Sequence, residues 1–427
     1  MGIRYRILVV LVFLFFAGFV SAQTVQKEEK KPEGLMENLI DQALHNTLFR
    51  AGIFYVQPNL NIFGQYDSNG LSLGDNEDPQ PDYNFQAVPS ILVYLPFQSR
   101  ALLEIDEGVQ FIYYRELTDL NGVFNTTRAK FTIGGPRVLF TISDDFHYER
   151  VRPTQEFDFP VNERTNNFFS SFTLGLGERS ALEAGFTSST DRIVEDIVNP
   201  TGIPLSDFFD RTENRAFVEL RRSVSERTAF VTNFYYEKIN FAEESVQPDA
   251  NTWSLQGGFS FQARGNITGQ ALIGYKRLEP DVAALPDYNG IVGSGSVRVR
   301  VGERTTLGID YIRDAEPSVL GLNWFFIESR IIPSIEYYIT HSLSVYGDAG
   351  YGRNNYELPG EIVGDNGEIT IGEIKDHSTY ADLGVRYRIK NYWNVYVAGN
   401  WFSRNSNLPG NEKDRYLISW GISTAFK

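Results

Sequence analysis

From about residue 50 to its end the chain alternates apolar and polar residues in runs of roughly ten, and every second junction between runs is very short. The tail shows the pattern. In Tyr416, Ile418, Trp420, Ile422, Thr424 and Phe426 every second residue is apolar, aromatic or threonine, and the intervening Leu417, Ser419, Gly421, Ser423 and Ala425 are mostly small. A period of two marks a strand with two unlike faces, one suited to lipid and the other to an interior. The pattern predicts eighteen strands, over 53–66, 84–96, 100–114, 124–134, 137–149, 166–177, 180–191, 213–225, 228–241, 251–263, 266–277, 289–301, 304–313, 325–340, 343–353, 378–389, 392–403 and 415–427.

The junctions sort into eight short turns and nine long loops. The short ones are Phe97-Gln98-Ser99, Gly135-Pro136, Glu178-Arg179, Glu226-Arg227, Gly265, Gly302-Glu303, His341-Ser342 and Lys390-Asn391; the long ones include 67–83, 150–165, 192–212, 278–288, 354–377 and 404–414, rich in Asp, Asn, Gly and Pro. An even strand count puts both chain ends on the short-turn side, which in bacterial outer-membrane barrels is the periplasm. Lipid admits only helix bundles and closed barrels, and no stretch after the leader approaches 18 apolar residues. A soluble propeller or sandwich also has many strands, but they are shorter, and alternation over ten residues would leave apolar stripes in water. The expected fold is therefore all-β, a transmembrane antiparallel β-barrel of about 18 strands with a short N-terminal helix. Glu-Arg recurs at three predicted tight turns, before Ser180, Thr228 and Thr305. Turn chemistry and charge that keeps a hairpin tip in water account for it.

Ahead of the barrel (51–427) lie two segments. Residues 1–22 read as a signal peptide: Arg4 and Arg6 form a basic start, Ile7 to Phe16 is unbroken apolar, and Val20-Ser21-Ala22 supplies small residues for cleavage. Its apolar run is too short for a membrane anchor. Residues 23–50 read as a periplasmic linker and an amphipathic helix over Pro32 to Leu48, with Leu35, Met36, Leu39, Ile40, Ala43 and Leu44 on one stripe. That helix could pack on the barrel base, lie on the membrane, contact a periplasmic partner or plug the barrel in part.

Composition narrows the function. The formal charge of −15 disfavours nucleic acid and anionic lipid surfaces. The absence of cysteine excludes disulfides, Cys-based metal sites and a lipoprotein anchor. The 23 tyrosines and 32 phenylalanines suit interfacial girdles.

The opening strand Val56-Gln57-Pro58-Asn59-Leu60, followed by Gln65-Tyr66-Asp67-Ser68-Asn69, and the repeated hairpins of short turn, Glu-Arg-Thr and aromatic-ending strand resemble the beta-barrel porin 2 family of Gram-negative bacteria, often linked to exopolysaccharide-export operons. The resemblance covers about residues 50–427. It implies outer-membrane location and passage or export of a polar solute, and carries over no catalytic residue. The last strand resembles the signal read by the barrel-assembly machinery, but departs from it where Lys427 follows Phe426 and where Thr424 stands in an aromatic's place.

Assigning the apolar set to lipid puts the other set in the lumen as a pore lining: Glu104, Asp106 and Gln110, then Arg128 and Lys130, then Asp145, His147 and Glu149, then Arg215, Glu219 and Arg221. Arg298, Arg300, Asp310, Glu328, Arg330, Glu336, Asp348, Asp382, Arg386 and Arg388 complete it, while Val297, Val299 and Val301 face lipid. Glu107 falls on the apolar face, which a bulge or a shifted register would explain. The charges can brace a wet wall by pairing across strands, or set a transverse field that screens solutes; the two are compatible.

Enzyme chemistry has little support. Asp145-His147-Glu149 is the only dense candidate, it lacks a signalled serine, and no HExxH or P-loop occurs. No catalytic, cofactor or metal residue is expected. The acidic loops 67–83 and 361–376 could collect Ca²⁺ but read better as solvated. The expected function is an outer-membrane channel passing or exporting polar solutes, exopolysaccharide among them. The alternative is a plugged structural or surface-binding barrel without open-pore transport; an outer-membrane hydrolase is remote. Expected partners are outer-membrane lipid and lipopolysaccharide, the barrel-assembly machinery, and a periplasmic export partner meeting residues 23–50.

Overall fold

Strands in lipid must satisfy every backbone N–H and C=O from a neighbouring strand, and this chain does so by closing on itself. The computed structural model describes residues 35–424 except 46, 75–77, 153–155, 157–158, 196, 198–203, 244–245, 262–265, 321–322, 364–367, 391 and 409–410. The signal peptide, the linker up to residue 34, and Phe426 and Lys427 lie outside the described residues.

A three-residue strand, β1 (Phe49–Ala51), precedes the barrel. The wall begins with β2 (Phe54–Asp67), β3 (Asp82–Phe97), β4 (Ala101–Tyr114), β5 (Gly122–Gly134), β6 (Val138–Val151) and β7 (Val161–Gly175). It continues with β8 (Ser180–Ile193), β9 (Arg211–Ser223), β10 (Thr228–Phe241), β11 (Ala250–Phe261), β12 (Ile267–Pro280) and β13 (Tyr288–Val301). Then come β14 (Thr305–Leu320), β15 (Asn323–Tyr338) and β16 (Leu343–Tyr356), a separate hairpin of β17 (Gly360–Val363) and β18 (Ile369–Gly372), and finally β19 (Asp376–Ile389), β20 (Trp393–Ser406) and β21 (Lys413–Thr424). Each wall strand pairs antiparallel with the next, and β21 pairs back onto β2, from Asn61 with Ser423 to Asp67 with Leu417. Eighteen strands therefore close the barrel, with β1 folded back on β2 inside the same sheet.

Register fixes which residues share a face. Along β13 and β14, Val297 stands opposite Ile309 and Val299 opposite Leu307, so these form one apolar face, and Arg298 and Arg300 point the other way. The same parity carried around the barrel gives an outer band of Ile, Val, Leu and Phe. Tyr66, Tyr83, Tyr113, Tyr148, Tyr236, Trp253, Tyr275, Tyr311, Tyr351, Trp401 and Tyr416 edge it toward the long loops. Amphipathic rings favour the headgroup level, so this row marks one membrane interface.

Two elements differ from the spacing. A loop is expected over 314–324, yet β14 continues to Leu320 and β15 begins at Asn323, with a register shift between Pro317 and Leu320. The polar residues that read as loop are bonded from the wall: Lys276 Nζ donates to Asp314 Oδ1 at 2.8 Å and to the Ala315 carbonyl at 2.9 Å. Trp324 and Phe325 pack with Ile239, Phe241, Leu278, Tyr288 and Val292. The loop over 354–377 contains the β17–β18 hairpin, too short to show a period of its own. The expected helix is described over Leu35–His45, with residues 32–34 of it outside the described residues, and Thr47 and Leu48 are not helical.

The seam between first and last strands is fastened at its long-loop end by a two-pronged ion pair. Arg415 Nε lies 2.9 Å from Asp67 Oδ1 and its Nη2 2.5 Å from Oδ2. At the other end the Leu60 amide donates to Thr424 Oγ1 at 2.8 Å. Asp67→Ala removes both prongs of the Arg415 pair and should cost about 3 kcal/mol. The check is the urea midpoint of the refolded barrel in lipid, which should fall with no change in the folded end state. A second prediction follows from the register: Val297→Arg, on the outer face, should cost about 2–4 kcal/mol in the same assay, whereas Arg300→Val should be nearly neutral.

Candidate functional site: the lumen

The inner face is built by the inward residue of each pleat, and the register brings every predicted lining residue to it. Glu104 stands opposite Lys130, Asp106 opposite Arg128, and Arg128 opposite Asp145. Arg215, Glu219 and Arg221 share the inward face of β9 with Phe217 and stand opposite Glu237, Asn233 and Val231 of β10. Glu328, Arg330 and Glu336 share the inward face of β15; Asp348 stands opposite Asp382, and Arg386 and Arg388 follow on β19.

Most of these charges meet a counter-ion. Lys130–Glu104 measures 3.0 Å, Arg128–Asp145 2.7 Å, Arg215–Glu237 2.8 Å, Arg221–Glu219 3.0 Å, Arg298–Asp310 2.6 Å, Arg330–Glu328 2.7 Å and Arg386–Glu336 3.3 Å. Anions and cations are interleaved around the wall rather than segregated into opposed rows. Bracing is the direct consequence, at about 0.2–1 kcal/mol for a solvated pair. Arg298 reaches Asp310 by lying across Gly308, where any Cβ would collide with its Cδ. Among the described residues, Arg300, Arg388, Asp348 and Asp382 make no ion pair.

His147 lies 4.0 Å from Glu149 and stands opposite Thr126 and Thr165. Among the described residues no group of three or more His, Cys, Asp or Glu is arranged to hold a metal. Glu107 does lie on the outer face, between Ile91 and Thr127, in unbroken register, so no bulge accounts for it. Thr127 Oγ1 donates to its Oε2 at 2.6 Å, which satisfies one carboxylate oxygen.

The sequence reading placed Gln110 in the lumen but missed the amide ladder to which it belongs. Gln110 Nε2 donates to Gln86 Oε1 at 2.7 Å, Gln86 Nε2 to Asn84 Oδ1 at 3.0 Å, Asn84 Nδ2 to Gln65 Oε1 at 3.3 Å and Gln65 Nε2 to Ser419 Oγ at 3.4 Å. This amide ladder crosses β4, β3, β2 and β21. Beside it, Tyr346, Tyr380 and Tyr396 lie flat over Gly384, Gly350 and Gly421, where an added Cβ would strike each tyrosine side chain. The Arg386 guanidinium covers the Tyr346 ring, 4.9 Å from its centroid. The signal was there in the parity: Gln65, Asn84, Gln86 and Gln110 all occupy inward positions.

Both ends of the lumen carry further structure. At the long-loop end, Ser318 on β14 donates to Glu156 Oε1 at 2.7 Å, and Gln247 Nε2 donates to the Ser318 carbonyl at 2.7 Å. Glu156 belongs to the connection between β6 and β7, on the opposite wall, so this contact spans the mouth. Arg152 also reaches Ser72 in the first long loop. At the short-turn end, the helix Leu35–His45 seats Met36 against Tyr94 and Leu102, which lie on the same face as Glu104 and is therefore inside the barrel.

No curated protein matches the chain. Among solved structures, OpdO of Pseudomonas aeruginosa is similar in fold at 10% identity and a TM-score of 0.49, covering 89% of this chain and 98% of that one. OccAB4 of Acinetobacter baumannii gives 12% identity and 0.46 over 86% and 97%. The FrpB iron transporter of Neisseria meningitidis (F3-3 variant) gives 9% and 0.48; the alignment covers 86% of this chain but only 64% of the transporter. Residues 224–426 match the family described as "Putative beta-barrel porin 2". From Val224 to Phe426 the chain is similar to that porin family, and the protein is a porin-like β-barrel of the outer membrane.

Proposed function

We propose that the lumen is a passage for uncharged, hydroxyl-rich solutes, exopolysaccharide among them, moving without a chemical step. The observation that carries this reading is the amide ladder across β4, β3, β2 and β21, with the tyrosines of β16, β19 and β20 beside it. Amides offer donors and acceptors in fixed order, as hydroxyl groups require. The rings of Tyr380 and Tyr396 offer apolar faces to the C–H side of a sugar ring. Many weak contacts in a row hold a chain in transit without trapping it, which conduction demands. The interleaved ion pairs on the remaining wall satisfy one another and leave little net field to exclude a neutral solute.

A plugged barrel whose loops bind a surface ligand is the second reading, and the Glu156–Ser318 contact across the mouth favours it. The two readings differ in permeation. For the first, neutral dextran oligosaccharides added to the refolded protein in a planar bilayer should produce brief current blockades. Gln86→Leu with Gln110→Leu should shorten their dwell time about tenfold, while polyethylene glycol of the same size should be indifferent to the substitutions. Blockades that ignore the substitutions would contradict a binding track. Separately, Arg298→Glu places a new anion beside Asp310 and should shift ion selectivity toward cations, read as a changed reversal potential in a salt gradient.

A further inference from the structure

The two ends of the lumen are fastened by different chemistry. At the long-loop end the fasteners are buried and charged. Arg404 and Asp376 form a two-pronged pair at 2.6 and 2.8 Å, Asn354 Nδ2 donates to the same carboxylate at 3.0 Å, and Lys276 is tied to Asp314. Removing one partner of such a pair strands a buried charge, so these contacts resist opening.

At the short-turn end the helix Leu35–His45 is seated by apolar contact. Met36, Ile40, Ala43 and Leu44 pack with Tyr55, Leu92, Tyr94, Leu102 and Leu139, all on inward positions of β2, β3, β4 and β6. Met36 is 1% exposed and Leu102 fully covered. A second inward apolar cluster, around Trp324 and Phe325, lies toward the long loops and is filled by wall strands themselves, whereas the patch at the short-turn end is covered by the helix. The opposite helix face, with Glu37, Asn38, Asp41 and Gln42, is exposed. The Leu35 amide donates to the Pro136 carbonyl, in a short turn, at 3.4 Å, a long bond. The tether is compact: β1 doubles back on β2 through Gly52, whose φ of +63° suits glycine.

We infer that this helix is a releasable gate at the periplasmic mouth, and that the channel opens from that side by unseating it while the outer loops stay in place. Apolar contact is non-directional and can be lost and regained without stranding a charge. The tether keeps the freed helix beside its seat. The inference rests on the reading of the lumen as a passage.

The absence of native cysteine makes a direct test clean. Met36→Cys in the refolded full-length mature barrel should react with a polar maleimide slowly, at least a hundredfold slower than Asn38→Cys, and Leu102→Ala should accelerate that reaction. Labelling as fast as Asn38→Cys would show that the helix is not seated. Labelling only on barrel unfolding would show that it is a fixed part of the wall. Either overturns the gate. In planar bilayers, Met36→Asp and deletion of 35–45 should each raise conductance several-fold, with barrel folding checked by heat-modifiable migration on gels. Unchanged conductance in both folded variants would also overturn it. The dextran blockades remain a separate readout, so a failed gate and a failed passage give different results.

Discussion

The constraint on which this molecule depends is the hydrogen-bonding demand of a backbone in hydrocarbon. An unpaired edge there costs several kcal/mol for each orphaned group. The pairing of β2 with β21 is therefore the condition for the other seventeen junctions between strands to be stable in a membrane. Seam chemistry reflects this. Asp67 and Arg415 sit where the first and last strands meet, and Thr424 covers the Leu60 amide at the other end. Closure divides every strand into a lipid side and a lumen side, and the division places the functional residues.

The lumen side then faces its own problem. Charges pointing into a confined space repel or attract according to neighbours that come from distant parts of the chain. The wall settles this by local pairing, within a strand for Glu219–Arg221 and Glu328–Arg330, and between strands for Glu104–Lys130 and Arg128–Asp145. Arg386 reaches over β16 to Glu336 and stacks on the Tyr346 ring at 4.9 Å from its centroid. That pairing leaves the amide ladder and the rings of Tyr380 and Tyr396 as the surface proposed for a solute path.

Strand number and face assignment were legible because both depend on a period of two, which a sequence displays directly. Ion-pair partners were not, since whether Arg386 meets Glu336 depends on the stagger between three strands. The upper parts of β14 and β15 were hidden because Asp314, Glu316 and Pro317 carry turn chemistry; Lys276, more than thirty residues earlier, recruits that segment to the wall. The helix stripe was plain, but its place inside the barrel was not. Leu92, Tyr94 and Leu102 are inward apolar residues, and Met36 fills the space beside them. Glu107 is the converse case: parity put it on the apolar face, the bulge or register shift offered to explain it is absent, and the partner that makes it tolerable, Thr127, comes from the next strand.

The most direct test of this account is uptake of a size series of uncharged saccharides by liposomes carrying the refolded protein, with the helix present and with residues 35–45 deleted. The account predicts uptake up to a size limit, faster once the helix is gone. A correctly folded barrel that admits none of them in either form would contradict it.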